Sequence, residues 1–173
     1  MYLSVRDLET RKIRFDLALK AEEIDYLDNR LRQTTPLKAA GVAELLGATQ
    51  EIRVKGRLSV QMAAECDRCL ESALFPVEQD FDLLYRPEPI EGESEEKELD
   101  ESAAELAYYE GGGLELKNVL REQVLLALPM QRVCRPDCKG ICPVCGQNRN
   151  QVACGCETRP MDDRWSALKS FKQ

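Results

Sequence analysis

Two stretches of alternating apolar and polar residues, one segment of helical period and eight cysteines in close pairs predict an α+β protein. The expected architecture is an antiparallel β-sheet of meander or hairpin type, an amphipathic helix packed on it, and a C-terminal cysteine-rich module. Along the chain, residues 1–87 read as the β domain with a CxxC hairpin tip, and 88–105 as an acidic flexible linker. Residues 106–173 read as the helix, the cysteine module and a C-terminal helix. A chain of 173 residues is long enough for a domain with a genuine core plus a small stapled module.

The elements follow in order. KIRFDLALK alternates Ile13, Phe15, Leu17 and Leu19 with charged or small residues and reads as a strand. PLKAAGVAELLGATQ is open between helix and strand, because Ala, Leu and Glu favour helix while Gly41 and Gly47 interrupt it. EIRVKGRLSVQM sets Ile52, Val54, Leu58, Val60 and Met62 against Arg53, Lys55, Arg57, Ser59 and Gln61, which is the period of a half-buried strand. Phe75, Val77, Phe81, Leu83 and Tyr85 alternate in the same way with Pro76, Glu78, Asp80 and Asp82.

A hairpin centred on Cys66-Asp67-Arg68-Cys69 would set Arg57 opposite Glu78, Lys55 opposite Asp80 and Arg53 opposite Asp82. Leu58 would then face Val77, Val60 would face Phe75 and Val54 would face Phe81. Charges line one face and apolar side chains the other, as cross-strand pairing favours. The basic stripe Arg53, Lys55, Arg57 is therefore read as a salt-bridged solvent face and not as a nucleic-acid footprint.

LELKNVLREQVLLALP places Leu116, Val119, Leu120, Val124, Ala127 and Leu128 at helical spacing and stops at Pro129. Packing on the sheet is its expected task. DDRWSALKSFKQ has a cap in Asp162 or Asp163 and sets Trp165, Leu168 and Phe171 on one helical face.

The net charge of −7 is unevenly spread. Residues 88–105 carry nine acids and one base, whereas residues 131–173 carry eight bases and four acids. The overall acidity argues against a nonspecific nucleic-acid binder, while the basic tail offers Arg132, Arg135, Lys139 and Arg149 as candidate contacts. No apolar run approaches the roughly 20 residues of a membrane span. The segment MYLSVRDLETRKIRF carries charges where a signal peptide has its apolar stretch, so the expected compartment is the reducing cytoplasm.

In that compartment eight cysteines read as metal ligands. Four close pairs are present: Cys66/Cys69, Cys134/Cys138, Cys142/Cys145 and Cys154/Cys156. Paired thiolates two to four residues apart reach one ion without backbone strain, and eight thiolates make two closed tetrahedral sites. The expected partition is Cys66, Cys69, Cys134 and Cys138 on one zinc ion, and Cys142, Cys145, Cys154 and Cys156 on a second. The turn in CPVCG makes the latter a zinc-ribbon-like module. A grouping of Cys134, Cys138, Cys142 and Cys145 uses the same ligand types, and iron is the competing metal. A thioredoxin-like CxxC needs a strand-to-helix setting that is absent. With no histidine, no phosphate loop and no nucleophile elbow, no catalytic residue is assigned and no small-molecule substrate is expected.

The order strand, ECDRCLE, strand, acidic linker, helix ending in ALP, then CRPDCKGICPVCGQNRNQVACGC and a closing DDRWSALKSF resembles the YceD-like bacterial and plastid proteins. The likeness covers about residues 45–173; the first forty residues carry little of it. The resemblance implies a non-enzymatic role in synthesis, processing or stability of the large-subunit (23S) ribosomal RNA. The implied partner is a precursor of that RNA, a large-subunit ribosomal protein, or both. Family members that lack the second cysteine cluster and keep the CxxC, with histidines near the Cys134 and Cys138 positions, imply the same two-site partition. From a different class, a zinc-ribbon adaptor of protein complexes such as the transcription apparatus, without RNA contact, fits the cysteines equally.

Overall fold

The computed structural model describes residues 1–47, 49–88 and 107–156. Most of the acidic segment and the whole expected C-terminal helix lie outside these residues.

The elements are β1 (Tyr2–Ser4), α1 (Val5–Thr10), β2 (Ile13–Leu19), β3 (Leu31–Gln33), β4 (Leu37–Leu46), β5 (Glu51–Glu65), β6 (Ser72–Pro87), β7 (Ala107–Tyr109), β8 (Gly113–Glu115) and α2 (Leu116–Ala127). The main sheet runs β2-β4-β5-β6-β7, with β3 also paired to β5 beyond the end of β4. All its pairings are antiparallel except β6 with β7. A second, two-stranded sheet joins β1 to β8. The architecture is therefore α+β, with a mostly antiparallel mixed sheet and few helices. Among the described residues no helix is long and apolar enough to cross a membrane.

The segment left open between helix and strand is β4. Its apolar residues fall at alternate positions, Leu37, Ala39 and Ala43 being buried, and partners on both sides satisfy its backbone. Tertiary pairing thus overrides the helix propensity of Ala, Leu and Glu. Gly41 and Gly56 lie opposite each other in β4 and β5. A Cβ on Gly41 would sit 2.6 Å from Phe15 Cζ and 2.8 Å from Gly56 Cα, and one on Gly56 3.0 Å from Phe81 Cζ. The missing side chains let two aromatic rings lie directly on the sheet backbone.

The β5–β6 hairpin has the expected faces and a different register. Lys55 lies opposite Asp82, Arg57 opposite Asp80 and Val60 opposite Val77, two residues away from the expected pairing. The cause is at the tip. Cys66 N–H donates to Glu71 O at 2.8 Å, and Leu70 enters the left-handed region at φ 63° with its N–H on Cys66 O at 2.9 Å. Leu70 and Glu71 therefore belong to the loop, and the hairpin is centred later. A two-residue shift keeps every side chain on its face. Arg53 still reaches Asp82 at 2.6 Å and Arg57 reaches Glu78 at 3.5 Å, along diagonals, while Lys55 turns to Asp82 at 4.0 Å.

On the inner face α2 buries Leu116, Val119, Leu120 and Val124, each worth roughly 1.5–3 kcal/mol when removed from water. The half-buried Gln79 beneath it donates to Gln123 O at 3.0 Å. Leu3, Leu37, Ile52, Leu58, Leu116 and Leu120 are essentially inaccessible in one core, so residues on both sides of the acidic segment share it. The tip of the β5–β6 hairpin and the chain leaving α2 then bring Cys66, Cys69, Cys134 and Cys138 together at one end of the sheet.

Candidate metal centres

The β5–β6 tip carries Cys66 and Cys69, and the chain leaving α2 is stitched to it. Asp67 N–H donates to Arg132 O at 2.8 Å, and Arg132 N–H donates to Asp67 Oδ2 at 2.6 Å. This brings Cys134 and Cys138 against the tip. The four sulfurs lie within 4.8 Å of one another. Cys66 and Cys138 sulfurs are 3.9 Å apart, and those of Cys69 and Cys134 3.8 Å. Thiolates at about 2.3 Å from a zinc-sized ion form a tetrahedron with edges of about 3.8 Å. Cys66, Cys69 and Cys138 are buried, whereas Cys134 is exposed.

The electrostatics of this inner quartet suit a cation. Burial pushes the Cys66 thiol up, but backbone N–H groups of Cys134, Cys69 and Arg68 outweigh it and bring it down to about 6. The Cys134 N–H lies 3.3 Å from Cys66 Sγ. Desolvation and the neighbouring Cys138, Cys69 and Cys66 sulfurs push Cys134 up to about 12. One thiol is poised to ionise while its neighbour resists a second negative charge. A divalent cation removes that conflict.

The outer quartet is built within residues 141–156. Ile141 bridges Asn148, Cys142 N–H donates to Gln147 O at 2.8 Å, and Gly146 N–H donates to Cys142 O at 2.9 Å. Gly146 has φ 73°, the turn that CPVCG needs after its second cysteine. The sulfurs of Cys142, Cys145, Cys154 and Cys156 also lie within 4.8 Å of one another. Backbone N–H groups of Cys145 and Val144 lower Cys142 to about 6, while the Cys145 sulfur raises Cys156 to about 12. Only Cys142 is buried; Cys145 and Cys156 are exposed and Cys154 is intermediate. All eight cysteines are free thiols, so neither quartet is a disulfide pair. Both donor sets fit a thiophilic metal ion. The grouping of Cys134 and Cys138 with Cys142 and Cys145 is not the one the backbone makes.

Further contacts hold the outer quartet to the hairpin tip. Ile141 N–H donates to Arg68 O at 2.9 Å, and Arg68 Nη1 donates to Cys138 O at 3.3 Å. Gly140, at φ 69°, lies so close that a Cβ would sit 2.9 Å from Arg68 O. Gln151 donates to the Glu71 carboxylate. Asn150 donates through Nδ2 to Cys138 Sγ at 3.4 Å. Reading by residue type missed Asp67, Arg68 and Asn150; the available signal for Asn150 was an amide placed midway between two cysteine pairs.

The candidate cations divide. Arg132 is 19% exposed and its guanidinium holds Asp28 Oδ2 at 3.1 Å, so it is committed inside the chain. Arg135 faces Asp137 at 3.3 Å and Asn150 Oδ1 at 3.1 Å. Lys139 and Arg149 are exposed, and among the described residues neither forms an ion pair.

Comparison with known proteins matches residues 54–172 to the family model described as large ribosomal RNA subunit accumulation protein YceD. The chain is similar to the chloroplastic large ribosomal RNA subunit accumulation protein YCED homolog 1 of Zea mays, 26% identical over 131 residues, covering 62% of this chain and 45% of the relative. It is 22% identical to the Arabidopsis thaliana protein of the same name over 170 residues, covering 86% of this chain and 51% of that one. It is 20% identical to the uncharacterized protein YlbN of Bacillus subtilis over 171 residues, covering 96% and 92%. The chain spans about half the length of the plant relatives. No solved structure matches. The matched stretch includes all eight cysteines and the hairpin, helix and tail that bring them together, and the chain belongs to the YceD family.

Proposed function

We propose that the chain is a non-enzymatic, cytoplasmic accessory protein of ribosome biogenesis that supports synthesis, processing or stability of the large-subunit (23S) ribosomal RNA. The observation that carries this reading is the family match over residues 54–172, together with plant relatives named for large ribosomal RNA subunit accumulation. Cys66, Cys69, Cys134 and Cys138 hold one structural zinc ion, and Cys142, Cys145, Cys154 and Cys156 a second in a zinc-ribbon-like module. Four thiolates leave no open coordination position, which suits a structural and not a catalytic zinc. Lys139 and Arg149, with Arg135 beside them, supply the RNA-facing cations, while Arg132 anchors the fold. The acidic residues 88–105 suit basic large-subunit ribosomal proteins by charge.

A second reading, a zinc-ribbon adaptor between proteins with no RNA contact, is favoured by one feature. The outer module exposes Ile141, Val144 and Val152 and offers few uncommitted cations. Pull-down from a lysate with and without ribonuclease separates the two. Retention of large-subunit ribosomal RNA and proteins only while RNA is intact, weakened by Lys139→Glu with Arg149→Glu, supports RNA contact. Retention of protein partners regardless of ribonuclease, and unaffected by the double charge reversal, supports the adaptor. Recovery of neither overturns the ribosomal role.

A further inference from the structure

We propose that Asn150 is a positioning residue that couples the two cysteine quartets, so that closure of the outer site determines how firmly the inner site holds its metal. The inference rests on the metal reading of both quartets.

Among the described residues, Asn150 supplies the one side-chain amide donor to a cysteine sulfur, from Nδ2 to Cys138 Sγ at 3.4 Å. Its Oδ1 accepts from Lys139 N–H at 2.8 Å and from Arg135 Nη2 at 3.1 Å. Asn150 thus grips the turn that carries Cys138 on both sides of that cysteine. The amide has only one workable orientation. Lys139 N–H requires an acceptor, so the oxygen faces it and the NH2 group faces the sulfur. Asn148 Oδ1 fixes that orientation by accepting both the backbone N–H and Nδ2 of Asn150, each at 2.9 Å.

Asn150 itself belongs to the outer module. It lies between Cys145 and Cys154, and the turn that holds it closes through Asn148 O, which accepts Gln151 N–H and Val152 N–H, both at 3.1 Å. Bringing Cys154 and Cys156 to Cys142 and Cys145 therefore fixes where the Asn150 amide sits. An N–H donated to a coordinating thiolate stabilises its charge, and such partners typically change metal affinity about 10–100-fold. Linkage makes the coupling reciprocal. Burial sets the order. Three of four sulfur-bearing residues are buried at the inner quartet and one of four at the outer, so the outer metal exchanges first.

The test uses the full chain loaded with cadmium-113, whose two resonances report the two sites separately, challenged with EDTA. The wild type is expected to lose the outer resonance first and the inner slowly. Asn150→Asp keeps the acceptor for Lys139 and Arg135 but turns a carboxylate toward the thiolate. It is expected to speed inner-site loss about 10–100-fold while the outer site is still filled. The substitution also costs the loop its Nδ2 bond to Asn148 Oδ1, so amide exchange at Gln151 and Val152 is read beside it, and unchanged exchange there separates loss of the thiolate donor from a loosened loop. Cys154→Ser with Cys156→Ser keeps the Asn150 side chain but removes the closure that positions it and empties the outer site, and its inner-site loss is expected to be about 10–100-fold faster than that of the wild type while the wild-type outer resonance is still present. An inner-site rate in either variant equal to that of the wild type with its outer site still filled overturns the coupling. A wild-type chain without cadmium resonances overturns the metal reading itself.

Discussion

Asp67 and Arg132 clasp each other through two hydrogen bonds, one from each main-chain N–H, across 65 positions of sequence. The clasp is what lays the segment after α2 against the hairpin tip, and Arg132 extends it by holding Asp28 Oδ2 at 3.1 Å. Asp28 is held below the usual carboxylate range, first by the Arg30 N–H and also by Arg132. Three distant segments therefore meet beside the inner quartet. Asp67→Ala leaves the Arg132 N–H without its acceptor and is expected to cost about 1–3 kcal/mol in urea unfolding. Asp67→Asn keeps an acceptor oxygen and should lose less. Equal stability of Asp67→Ala and wild type would show that the clasp contributes nothing.

Substitution at the Gly41–Gly56 crossing tests the close approach of Phe15 and Phe81 to the backbone. In Gly41→Ala the new methyl overlaps the Lys55 carbonyl oxygen and the Phe15 ring, and both neighbours are fixed in the sheet. A loss at the upper end of the roughly 1–3 kcal/mol typical of overpacking is expected, read as a lower urea midpoint at unchanged slope. Gly47→Ala, with nothing within 4 Å, is the control and should be close to neutral.

Alternation made β2, β5 and β6 legible, and the period of Leu116, Val119, Leu120 and Val124 made α2 legible, because each buries one continuous face. The hairpin register was not legible, since a shift of two residues preserves every face. It depended on Leu70 adopting a left-handed conformation, which leucine does not advertise. The short strands β1, β3, β7 and β8, three residues each, are too brief to show a period and exist only through distant partners. Cysteine spacing gave the four close pairs, because ligand pairs must be close in sequence, and left their grouping into fours open. The polar groups around the sulfurs, Asn150 above all, have no such spacing rule.

The buried Glu51 gives the fold an acid sensitivity. The Arg86 guanidinium, with help from Thr49, holds its carboxyl below the ordinary glutamate range. A folded pKa below the unfolded one gives stability that is fully present above the ordinary value of about 4.3 and lost as pH falls through the folded value. Unfolding free energy is therefore expected to decline with acid below about pH 4.3. Glu51→Gln removes one contributor, so its decline should be shallower, measured by urea titrations at stepped pH. An unchanged slope would place the acid sensitivity in Asp82, Asp28 and Glu44, whose carboxyls are lowered in the same way.

Metal removal is expected to separate the two ends of the molecule. The main core runs from Leu3 to Leu128 and includes no cysteine, whereas Cys66, Cys69 and Cys138 form a small cluster of their own with Val133 against it. The sheet should therefore outlast the metal. Residues 132–156 form no named strand or helix and are held mainly by the quartets, the Asp67 clasp and the Arg68 contacts. Structural zinc in small peptides contributes about 10–16 kcal/mol to folding, far more than those hydrogen bonds supply. On chelation, amide exchange should accelerate across residues 132–156 and the Cys66–Glu71 loop while β4, β5 and α2 stay protected, and added zinc should restore protection. Elemental analysis of the protein before chelation should give two zinc per chain, and iron in its place would change the metal without changing the ligands. Simultaneous loss of protection in β5 and α2 would mean that the quartets hold the whole fold and not only its cysteine-rich end.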